Sequence, residues 1–341
     1  MCTSIYGKFP ILSISIEIGI KGRSLKSLLE GILGTDLKNF LGEVMKIGVD
    51  LGGSHIGIGI VNEKGYVLEK SERRIMQKER KEIKSIIENY MVEKIQDILK
   101  SKDITEIGIA IPGTIANGKV IKSVNLGLKN YPIVQRLEQK INLPIKIAND
   151  CRCAAIAENK YGALKKYSRE VFITLGTGIG GAVIINDKPL DTGEYPGCEF
   201  GHMVIQKNGL QCNCGKKGCF EKYGSMKAFK DNLRKELGLD EKTRGQDLLD
   251  IIRKDQENPK IKKVINEYIE NLSLGISNII NIFEPEVIGI GGSFVYFSDI
   301  LLDKLKENLL QKEYLFNQRK KINIVQAILG NDAGIIGSTM L

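Results

Sequence analysis

Apolar positions along this chain follow two different periods. From Met45, the stretch MKIGVDLGGSHIGIGIVNEKGYVLEK holds two apolar runs, closed first by DLGGS and then by NEKG, the pattern of paired strands joined by turns. IKSIIENYMVEKIQDILK then repeats at helical spacing, and ITEIGIAIPG is apolar enough for a buried strand. LPIKIAND reads as a further strand, followed by a helix from about Arg152, and VFITLGTGIGGAVIIND reads as a second strand pair. A long helical stretch between Asn258 and Phe283 leads into EPEVIGIGGS, a strand ending in glycines. INIVQAIL is the last strand, ahead of GNDAGIIGSTML. Strands alternating with helices predict α/β layers. The strand–glycine turn–strand of Ile47–Val61 recurs at Val171–Ile185, as two domains of related design would produce.

Residues 1–44 read differently. Leu25, Leu28, Leu29, Ile32 and Leu33 share one helical face there, and five Lys/Arg stand against four Asp/Glu. We expect this leader to be poorly ordered, with few contacts to the rest, as an accident of an upstream start codon would leave it. A chain beginning at Met45 is expected to fold and to keep full activity.

Composition narrows the class. A chain of 341 residues, 42% hydrophobic and 27% charged, suits two globular domains. It has no apolar run of eighteen residues, so no membrane-spanning helix is expected. FPILSISIEIGI is short, carries Glu17 and precedes no small-residue cleavage site, which argues against a signal peptide. The expected compartment is the cytoplasm, where thiols stay reduced and clustered cysteines favour metal over disulfides. The net charge of +9 raises a nucleic-acid partner. The lysines, however, are scattered among glutamates, as in EKSERRIMQKERKEIKS, and no basic stripe is interleaved with aromatics. A solvated surface, with no nucleic-acid or membrane partner, is the expectation.

Three features carry candidate chemistry. The first is a set of glycine turns. DLGGS and LGTGIGG each join strand to strand, and GIGGS closes a third strand. Glycines there let the backbone approach an anion, and Ser54 and Thr177 add hydroxyls. Neither a Walker pattern nor a Rossmann fingerprint fits. Together the turns predict a phosphate clasp from Asp50, Gly52, Gly53, Ser54, Gly176, Thr177, Gly178, Gly180, Gly291, Gly292 and Ser293. Asp50 suits Mg²⁺ held through water, or a simple turn cap.

The second is Asn149-Asp150 at the end of an apolar strand. A carboxylate there suits a general base and suits equally a helix N-cap. The third is Cys212-x-Cys214-x₄-Cys219 with His202 ten residues before it. Three sulfurs and an imidazole complete a tetrahedron with no open position, so a structural zinc is expected. Cys2, Cys151, Cys153 and Cys198 have no such arrangement and read as ordinary small residues.

These residues carry a resemblance. GHMVIQKNGLQCNCGKKGCFE resembles the signature of the ROK family of sugar kinases and sugar-responsive repressors, with every fixed position matched. GCEFGH resembles the family's Glu-x-Gly-His element, and DLGGS its phosphate turn, with Ser54 in place of threonine. IAIPG, AND, LGTGIGG, GIGGS and NDAGIIG follow in family order, so the likeness runs from Met45 to Leu341. It implies the actin-like ATPase (ribonuclease H-like) fold: two α/β domains, 45–155 plus 330–341 and 156–329, with a ligand cleft between them. It implies ATP and Mg²⁺ in that cleft and a sugar beside them. By motif match, Asp150 is implied as the base facing a sugar 6-hydroxyl, with Asn149 on neighbouring hydroxyls. Glu199, His202 and Glu221 are implied at the far side of the ring, and Gly113 and Asn125 in the same pocket. The zinc is implied to fix the ring of His202, whose other edge meets a sugar hydroxyl.

Kinase and repressor remain as two classes. The repressors resemble kinases preceded by a winged-helix domain and tend to lose the base or the phosphate turn. Residues 1–44 show no helix-turn-helix pair, and Asp150, Asp50 and both glycine hairpins are present. The expectation is an ATP-dependent hexose kinase, glucose first and N-acetylmannosamine or N-acetylglucosamine next, acting as a homodimer.

Overall fold

The computed structural model describes residues 44–191, 193, 197–311 and 323–341. The expected amphipathic segment at 25–33, and Cys2, lie outside them. Residues Met45–Leu341 form one compact unit.

The first strands form where β-branched residues dominate. They are β1 (Met45–Leu51), β2 (His55–Asn62), β3 (Val67–Arg74) and β4 (Ile104–Ile111), then the short β5 (Thr114–Ala116), β6 (Lys119–Ser123) and β7 (Leu128–Tyr131), then β8 (Ile145–Asn149). One sheet runs β3-β2-β1-β4-β8. β1 is antiparallel to β2 and parallel to β4, and β4 is parallel to β8. β3, VLEKSERR, is an edge strand whose polar side chains face water. The second sheet repeats the design. β9 (Arg169–Leu175), β10 (Ile179–Ile185), β11 (Lys188–Pro189), β12 (Val287–Gly291) and β13 (Asn323–Gln326) run β11-β10-β9-β12-β13. β9 is again antiparallel to its hairpin partner and parallel to β12. The recurrence seen at Ile47–Val61 and Val171–Ile185 is thus a recurrence of topology.

The helices in chain order are α1 (Ile83–Leu99), α2 (Ile133–Glu138), α3 (Asp150–Tyr161), α4 (Glu221–Gly224), α5 (Met226–Leu237), α6 (Gly245–Lys254), α7 (Pro259–Phe283), α8 (Ser298–Gln311) and α9 (Ala333–Ser338). α1 buries Ile83, Ile87, Met91 and Ile95, one stripe at four-residue spacing, in the core of the first sheet. α7 begins with Pro259, and the side chain of Asn258 accepts from the Lys260 N–H at 3.0 Å. Its apolar face, from Ile261 to Ile280, lies in the core of the second sheet. Each such Ile or Leu contributes about 1.5–3 kcal/mol. β5, β6 and β7 form a separate small sheet, which the sequence reading did not foresee. Glu88 of α1 anchors its far end: Arg136, with Tyr131 and Lys140, holds this buried carboxyl down at about 2. No helix among the described residues is long and apolar enough to cross a membrane.

Two packing details position the cleft. The first concerns α9, which carries the NDAGIIG motif. A Cβ on Gly48 of β1 would lie 2.1 Å from the carbonyl oxygen of Ile335. On Gly108 of β4 it would lie 1.8 Å from that of Ser338, and on Gly337 1.7 Å from that of Cys153 in α3. Backbone therefore meets backbone between β1, β4, α9 and α3, and only glycine fits.

The second is Glu158 of α3, a fully buried carboxylate. Its Oε2 accepts from the Ala163 N–H at 2.8 Å, just where the chain leaves α3 for the second sheet. Its Oε1 accepts from the Ile328 and Leu329 N–H groups at 2.9 and 2.8 Å, where the chain returns toward α9. One side chain thus ties both crossings together. Glu158→Gln sets an NH₂ group against backbone donors and leaves at least one buried N–H unsatisfied. It is expected to lower stability by about 2–3 kcal/mol in urea unfolding. A loss under about 0.5 kcal/mol would show that the clamp carries no weight.

Candidate active site

A cleft of about 1460 Å³ opens where the two sheets point their glycine turns at each other. Asp50 and Gly52 approach from the β1–β2 turn, and Gly113 and Asn125 from the small sheet. Asn149 and Asp150 form the start of α3. Gly176, Thr177, Gly178 and Gly180 come from β9–β10, and Gly291, Gly292 and Ser293 from the end of β12. Glu199, His202 and Cys214 come from the segment ahead of α4, and Glu221 opens α4. Gly53 and Ser54 form the tip of the first turn and do not wall the cleft; Ser54 is exposed. Gly180 lies within β10, opposite Thr174, rather than in the turn itself. Cys212 and Cys219 are buried behind the wall.

Gly113 shows why this architecture needs glycine. Its φ is +116°, and a Cβ there would stand 2.3 Å from the carbonyl oxygen of Lys122. The turn can thus fold tightly onto β6 and leave its own carbonyl to Asn149, whose Nδ2 donates to it at 3.0 Å.

The structure shows which residue caps the helix at Asn149-Asp150. α3 begins at Asp150, ahead of Arg152. The N-cap is Asn149, not Asp150: Asn149 Oδ1 accepts from the N–H groups of Cys151 and Arg152 at 2.9 and 3.3 Å. Asp150 sits one residue inside, with Oδ1 also accepting from Cys151 N–H at 2.9 Å. It is not needed as the cap and faces the cleft. Burial pushes its carboxyl up to about 6, and the nearby charge of Asp50 adds to the shift. Much of the hydrogen-bonding capacity of Asn149 is already engaged.

His202, Cys212, Cys214 and Cys219 converge, with one donor atom from each lying within 4.8 Å of all the others. Cys214 Sγ and Cys219 Sγ are 3.5 Å apart, and Cys212 Sγ lies 3.8 Å from His202 Nδ1. A tetrahedral ion with Zn–S near 2.3 Å and Zn–N near 2.0 Å spaces its ligands at roughly these separations. Burial pushes the Cys212 thiol up to about 12, so a cation is what would ionise it. The donor set therefore fits a closed zinc site. His202 turns Nδ1 toward the sulfurs, which places Nε2 on the other edge of the ring. Glu221 links this loop to the second turn: Oε1 accepts from Cys212 at 3.0 Å, and a Cβ on Gly178 would meet Oε2 at 2.7 Å. Cys151 and Cys153 are buried in the packing of α3, as expected of small apolar residues.

The sequence reading missed two parts of the wall. One is the start of α5, where Lys227, Ala228 and Asp231 face the cleft and Lys227 N–H donates to the carbonyl of Gly176 at 3.0 Å. The signal was present: Ser225 precedes MKAFKDNLRKEL, whose Met226, Phe229 and Leu233 share one face, and its hydroxyl caps Ala228 N–H at 3.1 Å. The other is His55 beside Asp50. Side-chain pairing with Asp50 raises its pKa above the ordinary imidazole value, against the opposing effect of burial.

Comparison with known proteins agrees with this picture. A glucokinase of Thermotoga maritima is 30% identical over 311 residues, covering 86% of this chain and 96% of that protein. A xylose repressor of Caldicellulosiruptor bescii is 29% identical over 286 residues, covering 79% of this chain and 71% of the repressor. The crystal structure of a ROK family glucokinase from Streptomyces griseus, in complex with glucose and AMPPNP, superposes with a TM-score of 0.72 at 25% identity, covering 86% and 97% of the two chains. The fold is thus the actin-like ATPase fold, with two α/β halves. The match to the ROK family itself runs over residues 46–341, nearly all of the chain beyond the leader. This chain belongs to the ROK family.

Proposed function

We propose that the protein is an ATP-dependent sugar kinase that phosphorylates the 6-hydroxyl of a hexose, glucose before others. The placement of Asp150 carries this reading. It stands at the mouth of α3, relieved of capping by Asn149, between the glycine turns and the wall of Glu199, His202 and Glu221. There it accepts the proton of the attacking hydroxyl. Glu199, His202 and Glu221 hold the sugar ring, with Asn125 and Gly113 beside it. The turns of β1–β2 and β9–β10 and the Gly291–Ser293 turn present backbone N–H groups to the phosphates. Asp50 would hold Mg²⁺, and that ion, when bound, would draw charge off the transferring group. His202, Cys212, Cys214 and Cys219 would hold a zinc ion, which when bound would fix the imidazole on the sugar side.

A panel of hexoses and N-acetylhexosamines at fixed ATP, read by coupled ADP release, tests the reading and its order of substrates. N-acetylmannosamine and N-acetylglucosamine are the next acceptors. Similarity to a xylose repressor supports a second reading, a sugar-responsive regulator. DNA mobility shift without any sugar-dependent ADP release would favour it over the first.

The kinase reading predicts a pH profile. Asp150 serves as a base only when ionised, and its carboxyl is raised to about 6. kcat is expected to fall about tenfold for each pH unit below that value and to be flat above it until another group titrates. A profile flat down to pH 4.5 would exclude Asp150 as the group.

A further inference from the structure

The chain has two histidines. His202 belongs to the metal loop; His55 has no role so far. It opens β2, directly after the first turn, and its imidazole folds back over that turn. A Cβ on Gly52 would lie 2.7 Å from His55 Cε1 and 2.9 Å from Nδ1, so the ring fills the room that glycine leaves. Gly52 N–H donates to the His55 carbonyl at 2.9 Å and fixes the hairpin. Nε2 lies 3.7 Å from Asp50 Oδ2, and the side chain is 42% exposed toward the cleft it lines.

The surroundings define what such a group can do. Asp50, Asp150 and Glu199 bring carboxylates to the cleft, and a nucleotide brings more negative charge. Two of the nearby cations are already engaged, while Lys122 and Lys222 also line the cleft. Lys70 of β3 is held by Glu72 at 2.6 Å and by Asp332 at 2.8 Å, and Lys227 of α5 is held by Asp231. Arg74, opposite His55 in the strand register, is exposed. Among the described residues at the first turn, His55 brings a side-chain N–H to the cleft wall.

We propose that His55 is a catalytic residue, donating an imidazole N–H to the terminal phosphoryl group of the nucleotide on the side of Asp50. It forms and breaks no covalent bond. It offsets charge on the transferring group beside the backbone dipoles of the first turn. The inference rests on the kinase reading.

Calorimetric titration of Mg-AMPPNP and Mg-ADP into wild type, His55→Ala and His55→Gln tests it. His55→Ala is expected to weaken AMPPNP about tenfold, as losing a hydrogen bond to a charged group does, and to leave ADP unchanged. kcat with hexose is expected to fall about 10- to 100-fold. His55→Gln keeps an N–H donor and should recover part of both. Gly52→Ala, which displaces the ring, should reproduce the loss for AMPPNP. Equal weakening of AMPPNP and ADP, or no change in either, overturns the assignment. If His55→Ala melts early, His55→Gln and Gly52→Ala decide. Wild type that releases no ADP with any hexose would fail the kinase reading, whereas the AMPPNP-to-ADP ratio would still judge His55.

Discussion

Replacing Asp150 by Asn is expected to give a protein that binds sugar, transfers almost no phosphoryl group and unfolds later than wild type. The loss comes from the missing base, which typically contributes on the order of 10²–10⁴-fold to kcat. The gain comes from the same side chain. Asp150 is partly buried at the cleft wall, and its carboxyl is raised from 3.8 to about 6. A raised folded-state value means that the folded protein holds this proton more tightly than the unfolded chain does. The stability it contributes is therefore complete below the ordinary value of 3.8, and is lost as pH rises through about 6. At pH 8 wild type bears a burial penalty on the order of 2–3 kcal/mol, which a neutral amide does not carry. Asn keeps an Oδ1 to accept the Cys151 N–H. Urea unfolding without nucleotide or Mg²⁺ should show Asp150→Asn ahead at pH 8 and level with wild type at pH 4. More than about a tenth of wild-type kcat in the variant would remove Asp150 from its role as base. A stability difference independent of pH would show that buried charge is not its cause.

Loss of the metal loop is expected to cost both stability and sugar affinity. Freshly purified protein should contain one Zn²⁺ per chain by elemental analysis. Cys214→Ser should lose most of it, because Cys214 supplies one of four converging donors. Zinc binding energy at such sites is partly folding energy, so Tm should drop by several degrees. The second effect is more diagnostic. His202 is one of the four converging donors and also lines the cleft, so as a ligand it would lose, with the ion, what holds its ring. Sugar Kd should rise about tenfold or more while nucleotide affinity is retained. Protein purified without metal would refute the site. Unchanged sugar affinity in metal-free protein would separate His202 from the sugar.

The site was legible where a residue type is dictated by chemistry. Glycine turns and the Cys/His spacing have few substitutes, so Gly176–Gly178 and Cys212–Cys219 could be read directly from the sequence. The choice between Asn149 and Asp150 could not, since a cap is defined by the dihedral angles of one residue and both side chains can accept an N–H. His55 was missed because an isolated histidine in a strand shows no partner by spacing. Its partner, Asp50, is brought alongside by the hairpin. The small sheet of β5–β7 escaped because strands of three to five residues, separated by Asn and Gly, show too little alternation. Gly48, Gly108 and Gly337 are different again: their reason lies wholly in contacts between segments far apart in sequence.

Those glycines also set an order of events during synthesis. β1 and β4 leave the ribosome early, yet the surface they present to α9 stays uncovered until residues 333–338 have been made. Through most of translation the first sheet is thus exposed to solvent along Gly48, Gly59 and Gly108. A glycine-lined, β-branched surface of this kind invites pairing with other nascent chains. Completion of the first half is a late, long-range step that awaits a single short helix, and contacts of that sequence separation are slow to form. The second half spans shorter separations, since β9, β10, α7 and β12 lie closer together in the sequence and β13 follows at 323–326, before the helix at 333–338. The half of the molecule made first is therefore the one that finishes folding last.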